Sequence, residues 1–315
     1  MSLEQVIAGG RQTNVTTTVH QEPYPAISPT RPELSQAGKT ILITGGGTNI
    51  GLAIATAFIK ASAATVIIVG RRAEVLESAR SQLEEVSKAA GTDAKIIARA
   101  CDVVNLADVD ALWKNLADQG IVVDVYVANA AKFTEPKALL QLGAEEVWSQ
   151  VETNVKAPLV FAEKFYAQPG GKKQKYIINV STVSIHATEN PEVAARPAYT
   201  LSKLSGTLLF QLLAQDHPHE DMQIISFHPG LIYNELWKAY GVDPKLFDSN
   251  VTDDLPGEFA VWAASKQAAF LHGRYVWCSW DVEELATGEN RKRLDEDFYF
   301  LRASISGLSN GNKTP

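Results

Sequence analysis

Tyr199 and Lys203 stand at the two ends of the run Tyr199-Thr200-Leu201-Ser202-Lys203, a spacing that puts a phenol and an ammonium on one face of a helix, one turn apart. A free phenol titrates near ~10, and a neighbouring cation stabilises its phenolate. The pair is therefore expected to bring the phenol toward the working pH, where it can exchange a proton with a substrate oxygen. Tyrosine and lysine at this spacing are also an ordinary surface pair. What gives them meaning is the order of the motifs that precede them.

These side chains need a scaffold, and the chain alternates β-branched apolar runs with amphipathic stretches from Lys39 onward. Strands are expected at 40–44, 65–69, 95–100, 124–127, 176–180 and 223–227, with a short seventh near Tyr275. Runs such as ILIT and VIIV are apolar almost without interruption, as a sheet buried on both faces requires. The fold class is α/β, doubly wound, with a mainly parallel seven-stranded sheet.

After the first strand comes Thr44-Gly45-Gly46-Gly47-Thr48-Asn49-Ile50-Gly51, then the helical stretch LAIATAFIK. A strand, a glycine-rich turn and a helix N-terminus together form an anion site, because glycines let the backbone approach a pyrophosphate and the unpaired N–H groups and helix dipole hold its charge. Gly70-Arg71-Arg72 ends the second strand. A planar guanidinium fork suits a 2′-phosphate, which favours NADP(H) over NAD(H); the alternative is that these arginines simply open the next helix.

The turn resembles the TGxxxGxG segment of the short-chain dehydrogenase/reductase family, with Asn49 in place of the middle glycine. Asparagine tolerates a left-handed backbone better than most residues. In the same order, Asp102 resembles the family's adenine-contacting Asp, and Ala128-Asn129-Ala130-Ala131 its Asn-Asn-Ala-Gly, with a glycine lost and an altered backbone path expected. Asn154 resembles its Asn on the fourth helix, and Tyr199/Lys203 its YxxxK pair. Ile177-Ile178-Asn179-Val180-Ser181-Thr182-Val183-Ser184 resembles the segment whose second serine holds the substrate oxygen. By that register the role falls to Thr182, with Ser181 and Ser184 as rivals.

His228-Pro229-Gly230-Leu231-Ile232-Tyr233-Asn234 resembles the segment that contacts the nicotinamide carboxamide, Asn234 replacing threonine. The resemblance implies a Rossmann fold whose cofactor-binding residues are Gly45, Gly47, Thr48, Asn49, Ile50, Gly51, Arg71, Arg72, Asp102, Asn129, Tyr199, Lys203, Pro229, Gly230, Ile232 and Asn234. Its catalytic residues would be Tyr199, Lys203, Asn154, Thr182 and Ser181, with Asn154 serving a proton relay or else a buried structural amide.

The gap from Thr182 to Tyr199 is longer than the family usually shows, and reads as a loop over the substrate mouth carrying His186, a substrate contact or a plain solvent-facing histidine. Leu236, Trp237, Tyr240 and Leu246 suggest an apolar flap and a bulky, apolar or aromatic substrate. In detail the chain resembles fungal members of the family, many of which serve secondary metabolism. The implied activity is NADP(H)-dependent hydride transfer between NADPH and a carbonyl or alcohol. An NADP(H)-binding protein without redox turnover, and an isomerase or dehydratase on the same fold, are the two other readings.

Composition bounds the rest. A chain of 315 residues with net charge -7 and no long block of like charge argues against a nucleic-acid surface. No stretch approaches the ~20 apolar residues of a membrane span, and the N-terminus does not read as a signal peptide, so a cytoplasmic protein is expected. Cys101 and Cys278 make no disulfide framework, although a bond between them is left open. His217-Pro218-His219 has no further ligands near it in sequence, so no metal is expected. Residues 1–38, punctuated by Pro23, Pro25, Pro29 and Pro32, read as an extended arm on the main domain or a neighbouring subunit, or as a disordered tail. Residues 39–285 read as the Rossmann domain with a flap at about 231–257, and 286–315 as a C-terminal tail. Relatives are commonly dimers or tetramers, so a homo-oligomer is implied.

Overall fold

The computed structural model of the chain describes residues 14–169, 174–232 and 252–305. The apolar runs form seven strands: β1 (Thr40–Thr44), β2 (Thr65–Gly70), β3 (Lys95–Ala100), β4 (Val125–Ala128), β5 (Lys175–Val180), β6 (Met222–His228) and β7 (Tyr275–Trp277). All pair in parallel in the order β3-β2-β1-β4-β5-β6-β7. The order reverses between β1 and β4, and a crevice at the C-terminal ends of the strands is the usual ligand position at such a switch.

Between the strands run α1 (Asn49–Lys60), α2 (Ala73–Ala90), α3 (Leu106–Asp118), α4 (Ala144–Val151), α5 (Ala157–Tyr166), α6 (Pro197–Asp216) and α7 (Asp254–Ala263), and α8 (Val282–Ala286) and α9 (Gly288–Glu296) follow β7. Side chains alternate across each strand, so β1 sends Ile41 and Ile43 into one core and Leu42 into the other. The first core packs β1 and β2 against α1, α2 and α7 through residues such as Phe58, Leu76 and Phe259. The second packs the opposite face against α3, α5 and α6 through Trp113, Phe161, Phe165 and Phe210. Each fully buried aliphatic side chain contributes about 1.5–3 kcal/mol, which is why β1 and β2 are apolar almost throughout.

Residues 14–38 lie along this domain. Tyr24, Ile27 and Leu34 enter the first core, and the His20 ring stacks on Tyr24 with centroids 3.5 Å apart. The Tyr24 hydroxyl accepts from Val282 N at 3.0 Å and donates to Trp280 O at 3.2 Å. Glu284 accepts the amides of Thr17 and Thr18, and Thr252 N, just before α7, donates to Gln21 O at 2.7 Å. At the other end of the chain, the buried Arg274 guanidinium donates to the carbonyls of Leu294, Asp297, Phe298 and Phe300, tying the segment after α9 to β7.

Asp281 joins the arm to α8. One carboxylate oxygen accepts from Glu283 N and Glu284 N as the helix cap, and the other lies 2.8 Å from His20 Nε2. Burial raises this carboxyl, but the His20 bond and the two backbone donors outweigh it and hold it below its ordinary value. Replacing Asp281 by Ala should lower stability by about 1–2 kcal/mol, the usual worth of a lost cap. Because the folded carboxyl is depressed, its contribution is complete above the ordinary carboxylate range near ~4 and is lost as pH falls through the folded value. Thermal unfolding should show a gap between wild type and variant at about pH 7 that narrows at about pH 3; equal stability at neutral pH would contradict the assignment.

Candidate active site

The crevice between β1 and β4 is built by contacts that leave no room for larger residues. Gly45 has φ 67°, in the left-handed region, and a Cβ on Gly51 would lie 2.1 Å from Gly45 O. Asn49 has φ 46°, so asparagine holds the left-handed backbone that the sequence comparison assigned to glycine. Thr44 Oγ1 accepts from Asn129 N and Ala130 N, while Asn129 Nδ2 donates to Thr44 O at 2.9 Å and Gly45 O at 3.2 Å. The Asn129 side chain thereby bonds the backbone of the glycine turn. Ala131 is not among the described residues with positive φ, so the loss of glycine there needs no left-handed backbone.

Thr48 begins α1 without a side-chain cap, leaving the first-turn amides of Asn49, Ile50 and Gly51 to face the crevice end of β1. Arg71 and Arg72 are exposed after β2, and neither side chain has a hydrogen bond or ion pair among the described contacts. Arg71 opens onto a cavity of about 630 Å³ lined also by Arg99, Cys101, Asp102, Asp108 and Asn115. Uncapped helix amides and unpaired guanidinia fit a dinucleotide carrying a pyrophosphate and a further phosphate. Arg99 was not expected. It pairs in register with Val69 on β2, two residues before Arg71, and lines the same cavity, a relation visible only once strands β2 and β3 are aligned.

At the other end of the crevice, α6 brings Tyr199 and Lys203 together with the end of β5. Lys203 is buried and its Nζ donates to Val180 O at 2.6 Å. The Thr182 hydroxyl is in hydrogen-bonding reach of the Tyr199 phenol, against which Phe133 packs edge-on at 4.8 Å. Burial pushes the phenol up to about 12 despite the Thr182 bond, and burial pushes the Lys203 ammonium down to about 8. Burial thus acts on both groups against their charged forms, in the opposite sense to the pull expected of the lysine on the phenol. Tyr199 therefore keeps its proton, and Lys203 keeps its charge at pH values below about 8.

The three candidate hydroxyls separate. Ser181 Oγ lies 2.6 Å from Thr207 Oγ1, which also donates to Lys203 O, so Ser181 ties β5 to α6. Thr182 Oγ1 faces Tyr199, accepts from Ser184 N and donates to Ser184 Oγ at 3.3 Å. Ser184 thus braces Thr182.

Asn154 sits in a π-helical turn, Glu152–Lys156, that links α4 to α5. Such turns are rare and tend to occur at functional sites. Pro158, four residues on, has no N–H to give the Asn154 carbonyl its ordinary helical partner. The Asn154 side chain is buried, accepting from Lys132 N at 2.7 Å and donating to Lys132 O and to Ser202 Oγ at 2.9 Å. A Cβ on Gly206 would come within 2.5 Å of Asn154 O, so this glycine lets α6 dock. Lys203, Asn154, Thr153 and Asn179 line a small cavity of about 10 Å³, the scale of one water molecule. The side chain is hydrogen-bonded within the fold, and Asn154 shares this cavity with the lysine.

Pro229, Gly230 (φ 89°) and the buried Ile232 follow β6. Asn234 and the flap residues Leu236, Trp237, Tyr240 and Leu246 lie outside the described residues. His186 is exposed, but its ring lies 5.7 Å from both Tyr275 and Trp277. Cys101 and Cys278 are free and buried, so they form no disulfide. Among the described residues no metal-binding cluster is present and no helix is long and apolar enough to cross a membrane.

The family model for short chain dehydrogenases matches residues 39–244. The chain is 30% identical over 303 residues to the short chain dehydrogenase/reductase nsrO of Aspergillus novofumigatus, covering 93% of this chain and 97% of that protein. It is 32% identical over 286 residues to a short chain dehydrogenase/reductase of Claviceps purpurea, covering 90% and 92%. Among solved structures, the L-sorbose reductase of Gluconobacter frateurii complexed with NADPH and L-sorbose superimposes with TM-score 0.66 at 22% identity, covering 78% of this chain and 96% of that one, a likeness of fold. The parallel seven-stranded sheet, the glycine turn with its left-handed Asn49, and the ordered Asn154, Thr182, Tyr199 and Lys203 agree with these matches: the chain belongs to the short-chain dehydrogenase/reductase family.

Proposed function

We propose that the protein is an NADPH-dependent carbonyl reductase, cytoplasmic, acting on a bulky apolar or aromatic ketone. The observation that carries this reading is the half-buried Tyr199 phenol beside the Thr182 hydroxyl, one helical turn from the buried Lys203. When bound, NADPH supplies the hydride. Thr182 and Tyr199 hold the carbonyl oxygen by hydrogen bonds, and Tyr199 gives that oxygen its phenolic proton as negative charge develops there. A phenol is a stronger acid than an alcohol, so the transfer runs downhill even from a phenol pushed up to about 12.

Lys203 stabilises the phenolate left behind, its charge available at pH values below about 8. The cavity shared by Lys203 and Asn154 offers room for one water through which the proton can be replaced. Residues Asn49, Ile50 and Gly51 at the α1 N-terminus would hold the pyrophosphate, Arg71 and Arg72 the 2′-phosphate, Asp102 the adenine, and the Pro229–Ile232 segment with Asn234 the nicotinamide side.

His186, Tyr275 and Trp277 form an aromatic edge near Thr182, which supports an aromatic substrate, of the kind made in fungal secondary metabolism. Leu201, Leu208 and Leu212 on α6, with Leu159 and Tyr166 on α5, are exposed apolar side chains on neighbouring helices, and they support a homo-oligomer closed by a second copy of the chain.

Tyr199→Phe should abolish oxidation of NADPH against a panel of aryl and alkyl ketones, a loss of at least about 1000-fold, while the NADPH dissociation constant stays within about threefold. Turnover retained by the variant would contradict the proton-donor assignment, and NADPH binding by the wild type without any absorbance change at 340 nm would contradict the reductase reading. Arg71→Ala should weaken NADPH binding about 10- to 100-fold, the worth of a lost charge-assisted bond, with a much smaller effect on NADH. Equal losses for both cofactors would contradict a 2′-phosphate contact.

A further inference from the structure

The turn that presents the Thr182 hydroxyl is held from behind by two residues, His228 at the end of β6 and Tyr275 at the start of β7. Thr182 and Val183 leave β5 and enter a short helical turn, Val183–Ile185. The Tyr275 hydroxyl, from the start of β7, donates to Thr182 O at 3.0 Å. His228, the last residue of β6, accepts from Val183 N through Nδ1 at 3.2 Å. Both side chains are buried, and these two bonds secure the two sides of one peptide group, its carbonyl and its N–H. A peptide fixed at both its oxygen and its nitrogen has little freedom to rotate, and the Thr182 side chain turns with it.

The geometry points to Tyr275 and His228 as positioning residues of this site: they fix the Thr182–Val183 peptide, and through it the place where the Thr182 hydroxyl holds the substrate oxygen relative to Tyr199. The inference rests on the reductase reading given above. Neither residue touches the reacting atoms by itself. Their effect passes through Thr182, where an offset of about 1 Å in a catalytic group can cost about 100-fold in rate.

Three features of their surroundings suit this task. Trp277, two residues after Tyr275 on the same strand, packs edge-on against the His228 ring at 5.0 Å and stacks on Trp280 at 5.6 Å, so the imidazole is wedged in one orientation. Strands β6 and β7 are paired in register at His228 and Trp277, which fixes the distance between the two pins. Burial pushes the His228 imidazole down to about 3, with His186 adding to the effect, so Nδ1 is a lone-pair acceptor throughout the neutral range and the bond to Val183 is not lost by protonation.

A double-mutant cycle on the full-length protein separates positioning from general support of the fold. Tyr275→Phe removes one pin, His228→Leu removes the other, and His228→Asn keeps an acceptor at the place of Nδ1. NADPH affinity is followed by fluorescence, and kcat and KM are measured with the best ketone of the aryl and alkyl panel. Tyr275→Phe and His228→Leu should each lower kcat about 10- to 100-fold, with the NADPH dissociation constant within about threefold of wild type. His228→Asn should recover most of the loss. In a Thr182→Ala background, where there is no hydroxyl left to position, neither change should cost more than about threefold further.

Losses that multiply fully with Thr182→Ala, or an unchanged kcat in both single variants, would overturn the inference. If Tyr275→Phe does not fold, the comparison of His228→Asn with His228→Leu decides it: equal loss in the two counts against a hydrogen-bonded pin. A wild-type protein that turns over no carbonyl removes the reductase reading and this inference with it, an outcome distinct from additive losses in active variants.

Discussion

Taking the Tyr199 phenol out of water favours its neutral form, and the surrounding chain is arranged around a proton that stays on that oxygen until a substrate oxygen takes it. The same burial acts on Lys203 in the opposite sense, easing its ammonium toward neutrality while the Val180 carbonyl holds it in place. The two shifts move the phenol and the ammonium apart, so burial disfavours the charged form of each until charge develops on a substrate oxygen. That arrangement requires α6 to approach the sheet and the α4–α5 turn very closely. The absence of a side chain at Gly206 permits it, and Ser202 and Thr207 on the same helix face use their hydroxyls to lock the contact to Asn154 and Ser181.

The cofactor end obeys a complementary constraint. Where the proton-transfer end pairs Lys203, Asn154, Ser181 and Thr182 within the fold, the opposite end leaves donors without acceptors: the first amides of α1 and the guanidinia of Arg71 and Arg72. Asn129 and Thr44 hold the glycine turn rigidly from behind, so these donors are presented by backbone that does not have to reorganise when an anion arrives. The reversal of strand order between β1 and β4 places both ends along one crevice.

Much of this was legible in the sequence because it rests on local rules. The seven strands follow from apolar β-branched runs and fall within a residue or so of their expected bounds, as at 65–69 against Thr65–Gly70. Asn49 at a left-handed position follows from its side chain's tolerance of that backbone. What escaped depends on relations between distant segments. The balance between burial and the lysine at Tyr199 depends on how deeply α6 sinks into the domain, which no spacing encodes. Ser181 and Thr182 are adjacent hydroxyls on a strand end, and only the alternation of the strand decides that the first meets Thr207 and the second meets Tyr199. Arg99 and Tyr275 belong to no motif and His228 only opens one; the pairing of β2 with β3 and of β6 with β7 brings them beside Arg71, Thr182 and Val183.

The account stands or falls on the protonation of one phenol. Labelling the tyrosines with carbon-13 at Cζ and comparing wild type with Tyr199→Phe isolates its resonance, which can be followed as pH is raised in the cofactor-free protein. The account predicts that this resonance is still that of a neutral phenol at pH 10, the midpoint of an ordinary tyrosine, in keeping with a group pushed up to about 12. A midpoint at or below about 9 would show that the lysine, not burial, governs the phenol, and would contradict it.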